Sequence, residues 1–439
     1  MKAPANNEAP PRVAQVPQEV TGQPRRVVVG HVSWRDTFAA LRHRNFRLFF
    51  FGQLVSLTGT WMQSTAQSWL VYQLTDSKVL LGVVAAVGSA PMMLFSLWGG
   101  SVADRHPKRT VVLWTQAAMM ILAFVFAGLV WSGRIVPWHI LVLAALGGVA
   151  MAFDMPARQA FMVEMTSRED LMNAVSLNSS IVNGARVVGP SVAGFLMAQM
   201  GIAVCMFLNG LSFVAVLIGL LMMRLPRFVP PVHTGSARQH VLEGFAYVAR
   251  HRRVRLLLSL FAVVGIFGWS YSVLMPAFVR DVLHGSEGQY GTVLSANGLG
   301  ALAGALTVAT WGTRLPNRLL VFGGIGVFSA MLVLLALTHS YALALVCMVV
   351  GGWGMLLYFS TTNTLIQTSV SDAVRGRVMG IWALVFGGMM PVGGLEAGLL
   401  SHWLDVRWAI AIGGLVCAAA ALITWMVVRR HPAPAKTPS

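Results

Sequence analysis

Arg105-His106-Pro107-Lys108-Arg109 decides the fold of this chain because it recurs: Arg314-Leu315-Pro316-Asn317-Arg318 stands 209 positions further on (314 − 105). Each is a basic Arg-x-Pro-x-Arg turn between two long apolar stretches. Proline fixes φ and removes a backbone donor, so it suits a turn that ends one helix and starts the next. A repeat on this scale predicts a membrane protein built from two similar halves.

Composition agrees. The 439 residues are 56% hydrophobic and 11% charged, against about 25% charged in soluble domains, and the mean hydropathy is +0.68. A soluble fold of this size cannot hide so much apolar surface, so lipid is the expected solvent. The net charge of +17 invites a nucleic-acid reading. The basic residues, however, are scattered in short segments between apolar spans and form no single face, which argues against it. Cys205, Cys347 and Cys417 each stand alone in an apolar stretch, without zinc or disulfide spacing, and read as packing residues. Residues 1–45 hold five prolines and no apolar signal core, so they read as a disordered basic tail without a signal peptide. The tail ends in an amphipathic lead-in, Trp34 to Phe46, and Arg25-Arg26 lacks the apolar core of a twin-arginine signal.

About 20 apolar residues cross a bilayer. Twelve such stretches are present, at 48–72, 79–102, 110–132, 138–157, 172–199, 202–223, 255–279, 290–312, 318–338, 341–363, 377–400 and 406–428. The expected fold is therefore all-α and integral to the membrane, with twelve transmembrane helices in two six-helix pseudo-symmetric halves. The halves are 46–223 and 255–428, joined by a basic linker, 224–254, and followed by a tail, 429–439. With the N-terminus inside, the tails and even-numbered loops carry 27 Lys and Arg, and the outer loops carry four: Lys78, Arg134, Arg280 and Arg407. The positive-inside rule then places both termini in the cytoplasm. The halves also correspond at Pro190, inside the run Gly184 to Gly194, and Pro391, inside Gly387 to Gly398. Same-direction repeats of this kind build one large group of secondary transporters, with substrate between the halves near the midplane.

Two signatures carry a family resemblance. Gly100-Ser-Val-Ala-Asp104-Arg105-His-Pro-Lys108-Arg109 resembles the loop 2–3 motif of the major facilitator superfamily, with Pro107 in place of its glycine. Gly189-Pro190-Ser-Val-Ala193-Gly194 resembles the fifth-span motif of that superfamily's antiporters. The stretches Phe153 to Ala160 and Arg375-Gly376-Arg377-Val378-Met379-Gly380 look like the branch that includes the enterobactin exporter and macrolide efflux proteins. The resemblance spans about residues 45–428. It implies that Asp104 faces the start of span 11 near Gly376 and Arg377, and that Arg105 or Arg109 pairs with Asp154. Asp104, Arg105, Lys108, Arg109, Asp154, Arg158, Gly376 and Arg377 are thus the expected cytoplasmic gate. Thr313 stands where Asp104 would stand in the second half, so the latch is one-sided. Asp154 also has a local competitor, Arg158, at the i+4 helical spacing.

Other candidates come from the residues alone. Arg186 lies near the middle of span 5, where a charge costs at least about 2.5–3.5 kcal/mol. It shares a helix face with Ser176, Ser179, Asn183 and Pro190. Two readings stand: a structural arginine satisfied within its half, or a site for an anionic or acceptor-rich cargo. Span 1 carries a polar stripe, Gln53, Ser56, Thr60, Ser64 and Gln67, which suits a cavity wall or helix packing better than lipid. Gln53, Thr60, Ser64, Gln67, Asn183 and Arg186 form the expected substrate set, with Trp269, Tyr271 and Tyr358 as candidate aromatic walls. Glu396, in the outer part of span 11, is the proton-coupling candidate or, alternatively, a hydrated group near the outer mouth. The pairs Gly300/Gly304 and Gly394/Gly398 suit close helix contact.

No histidine pair at metal-binding spacing and no Walker sequence is present, so neither enzyme chemistry, a cofactor nor direct ATP drive is expected. The expected function is a proton-coupled exporter of a small amphipathic molecule, a siderophore or an antibiotic, working as a monomer in the bacterial inner membrane. An importer or lipid flippase of the same fold, or a polytopic membrane enzyme, is the alternative. The expected partners are the cargo, protons and lipid.

Overall fold

The computed structural model describes residues 38–167, 169–225 and 237–430. Among them are twelve long helices and no strand. The first half comprises α1 (Arg44–Thr75), α2 (Lys78–Arg105), α3 (Lys108–Trp131), α4 (Pro137–Met165), α5 (Leu171–Met200) and α6 (Ile202–Met222). The second comprises α7 (Arg252–Val282), α8 (Glu287–Trp311), α9 (Leu319–Leu337), α10 (Tyr341–Thr368), α11 (Asp372–Leu404) and α12 (Val406–Arg430). Eleven are long and apolar enough to cross a membrane. The other is α1, whose polar stripe lowers its hydropathy without shortening the helix.

Several helices run past the apolar stretches that announce them. α4 continues to Met165 and α10 to Thr368, because backbone hydrogen bonding carries a helix on beyond the lipid core. The linker contains a further helix, Ala237–Arg250, packed against α11. The expected tails at 1–37 and 431–439, and linker residues 226–236, lie outside the described residues.

One end of the bundle carries the basic turns after Arg105 and Trp311 and the linker. It is called here the basic end, and the opposite one the far end. Far-end turns are tight: Asp76 adopts the left-handed conformation, φ 48°, which the short polar Asx side chain tolerates better than most, and Asp405 also has a positive φ, 79°.

The cores show how the halves meet. At the far end one hydrophobic core runs through both halves, from Met62, Trp69, Phe126 and Met206 to Leu274, Phe278, Phe328 and Ile410. Toward the basic end it divides. One core, with Phe46, Phe49 and Phe161, belongs to the first half; another, with Phe261, Tyr358 and Trp382, belongs to the second. Two seams produce the fused region. α2 lies on α11 so closely that a methyl on Gly82 would strike the Gly394 carbonyl. α5 lies on α8 with Gly194 against Gly291, and Ser191 donates to Ser295 at 2.6 Å. Without a hydrophobic drive between helices in lipid, small residues permit the contact that holds such seams.

Candidate functional site

Where the halves part, they enclose a cavity of about 940 Å³. The first half contributes Thr60, Ser64 and Gln67 of α1 and Ser179, Asn183, Arg186 and Pro190 of α5. Both sets follow 3- and 4-residue steps, so one face of each helix points inward. The second half contributes an aromatic group from three helices: Trp269 meets Phe386 edge to face at 6.4 Å, and Phe359 meets Phe386 at 5.9 Å. Trp269 and Tyr271 follow the π turn Val264–Gly268, which interrupts α7 and re-aims its side chains. Across the far end of the cavity, Trp69 of α1 stacks on Tyr290 of α8 at 5.3 Å. Toward the basic end the wall continues to Ser179 and Thr364.

Among the described residues, Arg186 is the single charged side chain on this wall. Its guanidinium lies over the Trp61 ring, 5.2 Å from the centroid, a cation–π contact that partly offsets desolvation. Its Nε is buried without a hydrogen-bond partner.

Gln53 departs from the expected substrate set. It is 1% exposed and accepts a hydrogen bond from Arg158 at 2.7 Å. The stripe faces one way throughout, but α4 closes over it below Thr60. Tyr358 is also corrected: it is fully buried in the second half's own core, away from the central cavity.

The expected Asp154 pairing with the basic loop is absent. Asp154, fully buried, pairs with Arg158 at 2.6 Å and accepts from Thr115 and Gln116 of α3 at 2.8 and 2.9 Å. Arg158 is one turn away on the same helix, so it reaches the carboxylate at little entropic cost. Lys108 instead pairs with Glu164 at 2.8 Å, and Arg109 donates to the Leu221 carbonyl at 2.9 Å. Asp104 and Arg105 are exposed at the end of α2, and Gly376 is exposed in the second turn of α11. Arg377 pairs with Glu243 of the linker helix at 3.0 Å. Glu396 lies on α11 away from the cavity wall, with Oε2 buried and without a hydrogen-bond partner.

The sequence reading missed a charged lock at the far end. Lys78 pairs with Asp405 at 2.9 Å and approaches Asp281 at 3.8 Å, and Arg280 pairs with Asp76 at 2.8 Å. The Tyr72 hydroxyl donates to Asp281 at 2.5 Å. Each of these contacts joins the two halves. The signal was present in the sequence: Lys78 and Arg280 are exceptions to the positive-inside count, and Asp76, Asp281 and Asp405 stand beside the outer turns. Burial pulls the Asp405 carboxyl up, but the hydrogen bonds from Lys78 and the Val406 backbone N–H outweigh it and hold it below the ordinary value.

Two pseudo-symmetric six-helix bundles around a shared central cavity define a membrane transporter of the major facilitator type. The match to the family described as transmembrane secretion effectors covers residues 35–438, and the chain belongs to that family. Its sequence is similar to the staphyloferrin A transporter of Staphylococcus aureus, with 23% identity over 88% of this chain and 96% of that one. The enterobactin exporter EntS of Escherichia coli is 27% identical over 91% of this chain and 96% of its own length. The multidrug efflux pump Tap of Mycobacterium bovis is 27% identical, with 88% and 93% covered. The fold is shared with a bacterial homologue of the human lysosomal transporter Spinster, solved in an inward-facing conformation. That likeness has a TM-score of 0.73 at 13% identity, over 92% of this chain and 100% of that one. It is also shared with the nucleoside transporter NupG, with a TM-score of 0.67 at 16% identity, over 89% and 99%. The protein is a multi-pass membrane transporter and not an enzyme.

Proposed function

We propose that this protein is a proton-coupled exporter of a small amphipathic molecule, a siderophore or an antibiotic, in the bacterial inner membrane. The observation that carries the reading is the single core at the far end, the two separate cores at the basic end and the cavity between them. Such a body rocks about its fused end, which is alternating access. Siderophore and drug transporters among the similar proteins support the cargo class. The excess of Lys and Arg supports a cytoplasmic basic end, and so an inward-facing state. One chain encloses the whole cavity, which supports a working monomer.

In this reading cargo enters from the cytoplasm and meets α1 and α5. Closing the basic end brings the exposed Asp104 toward the start of α11, where Gly376 and Arg377 receive it in place of Glu243. A carboxylate at a helix N-terminus gains about 0.3–1 kcal/mol from the dipole. Glu396 is the proton carrier: its carboxylate is off the cargo path and its Oε2 is without a hydrogen-bond partner. A potential of about 100 mV supplies about 2.3 kcal/mol per charge moved.

Everted membrane vesicles test this. With an acid interior, wild-type vesicles accumulate a siderophore cargo, and an uncoupler abolishes the accumulation. Asp104→Asn and Glu396→Gln each lower it about tenfold, or about 1.4 kcal/mol in the driving equilibrium. Accumulation unchanged by the uncoupler refutes proton coupling, and cargo movement only out of everted vesicles marks an importer.

A further inference from the structure

Arg186 makes no hydrogen bond or ion pair with any described residue, and among the described residues it is the only charged side chain on the cavity wall. No carboxylate of the described residues shares that wall; Asp154 is sealed by Arg158, Thr115 and Gln116, and Glu396 lies off the cavity. A guanidinium carries five donors and no acceptor. The Trp61 face beneath it screens charge but accepts none of those donors in the plane of the fork. An uncompensated cation at this depth raises a positive potential in a low-dielectric chamber, which draws anions and repels cations.

The seat of this arginine is fixed rather than incidental. A methyl on Gly189 would lie 2.5 Å from the Trp61 Cβ, so only glycine lets α1 bring the ring under the guanidinium. On the other side the Arg186 backbone carbonyl packs on Gly298 of α8, at the point where the α5–α8 seam ends. Tyr271 of α7 lines the same cavity from the second half. A ligand's charged group placed here touches both halves, while its body meets Trp269, Phe359 and Phe386.

We infer that the cargo is an amphipathic organic anion with an aromatic or apolar body, its carboxylate or phenolate held by Arg186, and that organic cations are rejected. The inference rests on the transporter reading above and narrows its cargo. Arg186 acts by forming a charge-assisted, two-pronged hydrogen bond to the anion, a geometry that lysine's point charge does not reproduce.

The test uses purified protein in zwitterionic nanodiscs and three fluorescent probes of matched shape: 4-(1-pyrenyl)butanoate, its primary amide and 4-(1-pyrenyl)butylammonium. Fluorescence anisotropy titrations should show the carboxylate bound about tenfold more tightly than the amide, about 1.4 kcal/mol, and the ammonium weakest. Arg186→Gln should remove that order, and Arg186→Lys should keep its sign with a smaller preference. An ammonium that binds wild type as tightly as the carboxylate overturns the inference without any variant, so a poorly folding variant does not protect it. An unchanged order in a monodisperse Arg186→Gln protein overturns it equally. Loading the same probes into proteoliposomes separates the two readings. Anion binding without any movement sinks the transporter reading, whereas transport with cation preference sinks this one alone.

Discussion

At the far end, oppositely charged side chains from the two halves face one another: Lys78 with Asp405 and Asp281, Arg280 with Asp76, Tyr72 with Asp281. At the basic end, three pairs among the described residues lie within one half or reach the linker helix: Lys108 with Glu164, Asp154 with Arg158, Arg377 with Glu243. The difference shows that it is the partner's half, rather than the number of charges, that decides which end is held shut. The basic end is richer in charge, yet these three pairs stiffen a half or tie it to the linker helix.

The largest effect expected from breaking this comparison lies in a pair that belongs to one half. Asp154→Asn strips a buried Arg158 of its counter-ion, and losing one partner of a buried pair costs about 3–5 kcal/mol. Thermal unfolding in detergent should show a loss of many degrees. The spacing of spin labels across the far end should not change in the fraction that stays folded. A change there would mean that Asp154 couples the halves after all.

Removing a cross-half charge should do the reverse. Lys78→Met deletes contacts to both Asp405 and Asp281, and such partly exposed pairs are worth about 0–1 kcal/mol each. Unfolding should be nearly unaffected. The population with a wide far end, read by electron–electron distance measurements, should rise about fivefold, about 1 kcal/mol. An unchanged distribution would leave the closure to the two glycine seams and to the Arg280–Asp76 and Tyr72–Asp281 contacts.

The smallest effect concerns pH. The Asp405 carboxyl is held below its ordinary value when the far end is closed, the ordinary aspartate value being about 3.9. Its contribution to closure is therefore complete above that value and fades as pH falls through the depressed one. Far-end distances should stay constant from neutral pH down to about 4 and widen only below. Asp405→Asn should abolish the widening below pH about 4; widening that persists in this variant would assign it to another group.

Much of the architecture was legible in the chain. The recurring basic turn, the apolar spans and the glycine–proline runs around Pro190 and Pro391 report local requirements: a loop that stays in water, a length that crosses lipid, a surface that admits a close neighbour. The inward faces of α1 and α5 were legible for the same reason, since helical spacing alone puts Thr60, Ser64 and Gln67, or Asn183 and Arg186, on one side. What failed was partner choice. Gln53 shares the α1 stripe but meets Arg158, because α4 approaches there, and Tyr358 is aromatic but faces its own half's core. Periodicity states which way a side chain points and nothing about what stands opposite.

The sequence by itself thus determined two six-helix halves and a buried cation at Arg186, because span length, repeat and the cost of a charge in lipid are properties of each segment. Only the tertiary structure decided that Arg158 claims Asp154, that Lys78 and Arg280 close the far end, and that Arg186 is the one charged side chain on the cavity wall among the described residues. Those outcomes depend on which helices converge at a given depth, and residues 327 positions apart, as Lys78 and Asp405 are, are brought together by packing and not by spacing.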